Sequence, residues 1–283
     1  MEGHIASDAE ETSVLKVLRL GVGQFDPRTA DPDGNMTKLS TILKSATAEQ
    51  IDVLVLPELI NSGTAFKSPK DARALAEEIP KGPFSKKLKA WSKPGRLVVA
   101  GLCEVTPEGL HDSAVIFGNG EYLDTYRKIH LFDDEKDWFV PGKKEPPVVE
   151  FNGHRFGVMV CFDWAYPELA RVLALKKVQV ILHPANLLLR SLYCVKAMVT
   201  RSIENRVFTA TASRVGAEGK FTFLGASQVT DPRGHILLRM DDVETGVSWV
   251  EIDPTVADDK TFSPKTDVFE DRVPDLYKRI LDE

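Results

Sequence analysis

Apolar residues fall in short runs along this chain, and the runs alternate with stretches where they recur every three or four positions. KVLRLGVGQF (16–25) and IDVLVLPE (51–58) read as buried strands rich in Val and Leu. Between them Met36, Leu39, Ile42, Leu43 and Ala46 keep helical spacing, with Asn35 as the expected N-cap. A helical stretch around 70–92 leads to the strands RLVVAGLCEV (96–105), SAVIFG and EYLDTYRK, and the last two meet at an Asn119-Gly120 turn signal. The second half repeats the theme. FGVMVCF reads as a strand, PELARVLALK as a helix and VQVILHP as a strand, followed by a helix in which Val195, Met198, Val199 and Ile203 share a face. VFTATASRV, GASQVTDPRGHILLRM and TGVSWVEID are the late strands. Helices separate the early strands and hairpins join the late ones, so the pattern predicts an α/β protein with a mixed sheet system. Residues 1–13 lack any period and read as a loose tail. No Gly/Ser-rich or Pro-rich linker divides the remainder, so 14–283 is expected to form one domain, with the C-terminal extension KTFSPKTDVFEDRVPDLYKRI showing no strong period.

Composition narrows the class. Of 283 residues, 43% are hydrophobic and 28% charged, enough to bury a sizeable core. The net charge of −6 argues against a nucleic-acid surface, and no apolar run is long enough to span a bilayer. The acidic, polar start is unlike a signal peptide. Three cysteines (Cys103, Cys161, Cys194) without CxxC spacing suggest neither a disulfide framework nor a zinc site, and a reducing cytoplasm is the expected compartment.

Cys161 is the residue that calls for chemistry. It is expected to end a strand just before a helix whose first residue is Pro167 and whose stripe is Leu169, Val172 and Leu173. Such corners aim backbone N–H groups and the positive end of a helix at developing negative charge, and they favour a thiolate. The competing reading is a core cysteine, which also covers Cys103 and Cys194. A thiol nucleophile needs a base and an oxyanion partner. His130 and His183 are the more plausible histidines for the base, yet neither stands at a diagnostic spacing. Glu58 follows the strand DVLVLP, Lys128 follows EYLDTYR, and Glu135 lies in the charged stretch HLFDDEKDWFVPG. Each alone reads equally as an ordinary charged side chain.

Together these blocks resemble the nitrilase, or carbon–nitrogen hydrolase, superfamily. LVLPEL holds Glu58, YRKIHLFDDEKDWFVPG holds Lys128 and Glu135, and GVMVCFDWAYPELAR holds Cys161, in the family's order. ILHPANLL (181–188) and RSIENRVF (201–208) resemble later family segments. The resemblance implies a four-layer α-β-β-α sandwich that associates as a dimer or larger homo-oligomer. It also implies Cys161 as nucleophile, Glu58 as general base and acid, Lys128 as oxyanion stabiliser with the Phe162 N–H, and Glu135 as a second, positioning carboxylate, with no metal or organic cofactor. Phe66, Trp138, Phe162, Trp164 and Asn186 are pocket candidates by their nearness to the motifs, each equally readable as packing. None of Arg190, Arg206 and Arg214 is marked by the sequence as a clamp for a substrate carboxylate. Lys143 and Lys144 follow Pro141-Gly142, where family members often carry an acidic residue.

Phe162, Asp163 and Trp164 after the cysteine, in place of the Trp-Glu of true nitrilases, point toward amidases, carbamoylases and some archaeal nitrile hydrolases. The expected reaction is hydrolysis of a small aliphatic amide through a Cys161 thioester, releasing ammonia and a carboxylic acid. The alternatives are a small nitrile or an N-carbamoyl amine as substrate. From other classes come a non-catalytic scaffold and a redox protein built on Cys161, the latter weakened by the lack of a nearby resolving cysteine.

Overall fold

The computed structural model describes residues 17–188 and 192–281, so the expected N-terminal tail and Arg190 lie outside the described residues. In chain order the first half holds β1 (Leu18–Gln24), α1 (Pro32–Ala48), β2 (Val53–Val55), α2 (Pro69–Leu75), α3 (Pro83–Trp91), β3 (Leu97–Thr106), β4 (Gly109–Gly118) and β5 (Glu121–Arg127). Next come α4 (Glu135–Trp138), β6 (Val148–Phe151), β7 (His154–Val158), α5 (Pro167–Leu175), β8 (Val180–Ala185), α6 (Leu192–Asn205) and β9 (Phe208–Ser213). A small hairpin, β10 (Ala217–Glu218) and β11 (Phe221–Thr222), precedes β12 (Gln228–Thr230), β13 (Ile236–Arg239) and β14 (Gly246–Ile252), and a second one, β15 (Thr261–Ser263) and β16 (Thr266–Asp267), opens the C-terminal extension.

Two six-stranded sheets result, ordered β14-β1-β2-β3-β4-β5 and β13-β12-β9-β8-β7-β6. Each has three parallel strands in the middle (β1-β2-β3 and β9-β8-β7) and antiparallel strands outside. Alternation along the strands explains how they stack. Leu20, Val22, Val53, Val55, Val99 and Ile116 of the first sheet meet Phe156, Val158, Leu182 and Ala210 of the second in one buried core. The intervening residues Leu54, Leu56, Val98, Ala100 and Val115 turn the other way, onto Leu39, Ile42 and Leu43 of α1 and Leu88 and Trp91 of α3. Helix α5 covers the far face of the second sheet, where a side chain at Gly157 would meet Leu173 at 2.8 Å. The layers are therefore α-β-β-α, as expected. Burying each large apolar side chain contributes about 1.5–3 kcal/mol.

Three local expectations are corrected. Asp31, not Asn35, caps α1, its carboxylate accepting from Gly34 N–H at 3.0 Å; Asn35 is buried and holds both backbone groups of Arg28. The stretch 70–92 is two helices, because Pro80, Gly82 and Pro83 interrupt the helical ladder and the Glu77 carboxylate caps α3 by accepting from Phe84 and Ser85 N–H. Cys161 does not end a strand: β7 stops at Val158, and Cys161 opens a 3-10 turn running to Ala165. Among the described residues no helix is long and apolar enough to cross a membrane.

Candidate active site

Glu58 and Cys161 stand at matching places in the two halves, each three residues past the end of a parallel strand, β2 and β7. Lys128 directly follows β5, and Glu135 opens the single turn of α4. The Glu58 corner is held by Gly101 on β3, whose N–H donates to Pro57 C=O at 2.9 Å and whose C=O accepts from Ile60 at 2.9 Å. A side chain at Gly101 would lie 2.3 Å from the Glu58 Cα, so the close approach requires glycine. Gly142 serves the lysine in the same way: its N–H donates to Lys128 C=O at 2.9 Å, and a Cβ there would meet Arg127 O at 2.1 Å.

The four residues come together. Lys128 Nζ, fully buried, donates to Glu58 Oε1 at 2.8 Å and to Glu135 Oε2 and Oε1 at 2.7 and 2.9 Å. A residue not anticipated from the sequence completes the cluster: Asp112, on β4, places Oδ2 3.2 Å from Nζ without hydrogen-bond alignment. Oxygens of Glu58, Asp112 and Glu135 lie within 4.8 Å of one another, a grouping able to hold a metal ion, but Lys128 Nζ stands among them as their shared cation. Burial pulls the Lys128 pKa down, yet Glu135, Glu58 and Asp112 outweigh it and raise it well above the usual lysine value. Glu135 is raised by burial and held back by Lys128. The Cys161 thiol is pushed well up by burial and by the Glu58 charge, with Lys128 and the Asn186 backbone N–H pulling the other way. It rests as a neutral thiol and needs a base.

The backbone around the thiol is strained and clamped. Cys161 takes φ +38° and Leu59, next to Glu58, φ +52°, left-handed conformations that cost an L-residue about 1–2 kcal/mol. Asp163 accepts from Val160 N–H at 2.9 Å and from Tyr126 OH at 2.8 Å, and its other oxygen pairs with His130 Nδ1 at 2.7 Å. His183 Nε2 lies 2.9 Å from Cys161 C=O; a carbonyl only accepts, so Nε2 carries the proton and Nδ1 accepts from the Thr211 hydroxyl at 3.0 Å.

Burial lowers the His183 pKa to about 4. The unfolded chain protonates this group near the ordinary 6.5, so between those values it binds more protons than the folded chain. Stability is therefore expected to fall by about 3 kcal/mol as pH drops from 6.5 to 4. Urea midpoints for the parent and His183→Gln across this window check it: an equal loss in both would assign the acid sensitivity elsewhere.

A cavity of about 710 Å³ opens onto Cys161, Glu58 and Glu135. Of the pocket candidates Phe66, Trp138 and Asn186 line it, together with Phe132, Phe139, Phe221 and Phe223. Phe162 and Trp164 do not. The 3-10 turn carries the Phe162 ring against Phe132 and Tyr166, and Trp164 packs with Leu187, Cys194 and Met198. Arg214 is fully buried and paired with Asp26 and Glu218 at 2.6 and 2.8 Å, and Arg206 donates to Pro232 C=O, so neither presents a carboxylate clamp. At the mouth Lys220 pairs with Asp134 at 2.7 Å.

This chain has relatives with the same framework. The carbon-nitrogen hydrolase family profile matches residues 19–260. A nitrilase of Pyrococcus abyssi is 36% identical over 93% of this chain and 100% of its own length, and an omega-amidase of Saccharomyces cerevisiae is 27% identical over 84% of this chain and 88% of its own. The crystal structure of an amidase from Nesterenkonia sp. superposes with a TM-score of 0.78 at 26% identity, covering 93% of this chain and 96% of that one. A variant of that amidase carries the acetamide moiety of fluoroacetamide covalently on its active-site cysteine. With two stacked sheets bringing a thiol, a lysine and two glutamates to one cavity, and with similarity along nearly the whole length, the chain belongs to the carbon-nitrogen hydrolase family of the nitrilase superfamily and is a hydrolase of carbon–nitrogen bonds.

Proposed function

We propose that this protein hydrolyses the primary amide of a small molecule with an uncharged, largely apolar acyl group. The observation that carries this reading is the buried Glu58–Lys128–Glu135 cluster beside Cys161 at the end of an aromatic cavity. Glu58 takes the thiol proton as sulfur attacks the carbonyl carbon, and the oxyanion forms between the Lys128 ammonium and the Phe162 N–H. Collapse breaks the carbon–nitrogen bond, Glu58 returns its proton to the departing ammonia, and a thioester remains on Cys161. Water, deprotonated by Glu58, then attacks the thioester and releases the acid. Glu135 holds Lys128 in place, accepting from it with both oxygens while taking Phe132 N–H on Oε2 at 2.8 Å.

Asn186 adds a recognition element. Its side-chain oxygen and nitrogen are buried at the cavity wall without a partner among the described residues, a cost that a substrate amide donating to one and accepting from the other removes. The nearness of the Pyrococcus relative keeps a small nitrile as the second reading. Ammonia release from matched amides, nitriles and N-carbamoyl amines, with intact-mass detection of the thioester, tests both; turnover of amides alone supports the first, and silence on all three classes sinks it. The exposed Tyr166, Leu175 and Tyr193 on the α5–α6 face support pairing of two chains there, and a monomer mass by light scattering would remove that assembly.

A further inference from the structure

Asp112 has no task in the sequence of steps above, yet it sits in the middle of the machinery. It lies on β4 opposite Cys103 of β3, its side chain is fully buried, and its backbone C=O accepts from Lys128 N–H at 2.9 Å. The charged and titratable groups facing it are Glu58 after β2, Lys128 after β5, Glu135 on α4 and Cys103 beside it. Were every carboxyl ionised, two buried anions and the partly buried Glu135 would share one ammonium. The ammonium's N–H groups are directed at Glu58 and Glu135, leaving both Asp112 oxygens without a hydrogen bond. An ionised carboxylate in that state is the least compensated of the three.

We propose that Asp112 is a positioning residue that carries the cluster's proton: a neutral carboxylic acid whose O–H is directed at Glu58, keeping Glu58 an oriented carboxylate and Lys128 an ammonium at rest. The direction of its titration agrees, since burial and the Glu58 charge push the Asp112 carboxyl well above the usual carboxylate range. No bond to substrate is involved. As pH rises and Asp112 finally ionises, Glu58 loses the O–H that orients it and gains a like charge as neighbour, so catalysis declines on the alkaline side.

This inference rests on the amidase reading, and the experiment separates the two by including a readout independent of turnover. The infrared spectrum of the parent near neutral pH is expected to contain a protonated carboxylic acid band that is absent from Asp112→Asn and retained in Glu135→Gln. Asp112→Asn, which keeps a neutral donor of the same shape, should hold kcat/KM within about threefold of the parent at neutral pH and displace the alkaline decline to higher pH. Asp112→Leu, which removes the donor, should lower kcat by at least about tenfold with KM little changed. A band lost in Glu135→Gln instead, or a folded Asp112→Asn protein slowed by more than about tenfold at neutral pH, overturns the assignment. Should the leucine variant fail to fold, the asparagine variant and the infrared band still decide the matter. An enzyme inactive on amides but showing the Asp112 band would discard the amidase reading and leave the proton where it is placed.

Discussion

Cys161→Ala is expected to lower kcat by roughly a millionfold, the scale on which loss of a nucleophile acts when the groups that support it remain. Lys128, Glu58 and the Phe162 N–H would still surround a bound amide, but the bond-forming step has no atom to use. Water would have to replace sulfur in a site arranged for a thiol held at a strained turn. The fold should be indifferent to the change: Sγ faces the cavity, and its removal is expected to shift stability by no more than about 1 kcal/mol. Intact mass after brief exposure to substrate should show an acyl adduct on the parent and none on the variant. The other two thiols, Cys103 and Cys194, are buried and pushed upward in pKa by that burial, so they offer no competing nucleophile. Undiminished ammonia release by the folded variant would falsify the thioester route.

Lys128→Met is expected to damage stability and catalysis together. The methionine keeps the length of the side chain but leaves Glu58, Asp112 and Glu135 without their shared cation. Breaking a buried ion pair from one side costs about 3–5 kcal/mol. The surviving carboxyls avoid the repulsion by holding protons, and a protonated Glu58 cannot accept one from the thiol. Loss of the oxyanion donor, about 10²–10³ in rate, therefore combines with loss of the base, about 10²–10⁴, and kcat should fall by at least about 10⁴. The sign of the pH effect is specific. In the variant the folded state raises the carboxyl pKa values above their unfolded ones, so the stability deficit should shrink as pH falls and the groups protonate. Denaturant midpoints for parent and variant at neutral and mildly acidic pH check this; a deficit that stays constant with pH would mean that the lysine supports the fold by packing alone.

Most strands and helices were legible along the chain because their cause is local, whereas the strand order within each sheet, with β14 returning beside β1, was not. DVLVLP and RLVVAG carry unbroken apolar runs, as strands covered on both faces require, but only the structure separates the residues that meet the other sheet from those that meet the helices. Glu58, Lys128, Glu135 and Cys161 were legible only as a set, through motif order, since each is an ordinary charged or small residue in its own neighbourhood. Asp112 escaped notice because its importance is entirely tertiary. Its one sequence signal was an acid in the strand LHDSAVIFG at the same parity as Ala114 and Ile116, which face the other sheet. Phe162 and Trp164 misled for the opposite reason: nearness to the nucleophile in sequence does not fix direction, and a left-handed residue at Cys161 re-aims the side chains after it. The Asp31 cap was hidden by Asn35, which is also a good capping residue type but is used to hold the Arg28 loop.

The seam between the sheets carries one more consequence. Glu58 and Lys128 leave one sheet and Cys161 leaves the other, so neither sheet by itself assembles the proposed site. In a refolding experiment, strand and helix content can return within either sheet, whereas regained turnover requires the two sheets to be docked. Recovery of activity is thus a clock for the docking of the two sheets. The interface between the halves, more than either half, is what any variant must preserve to remain an enzyme.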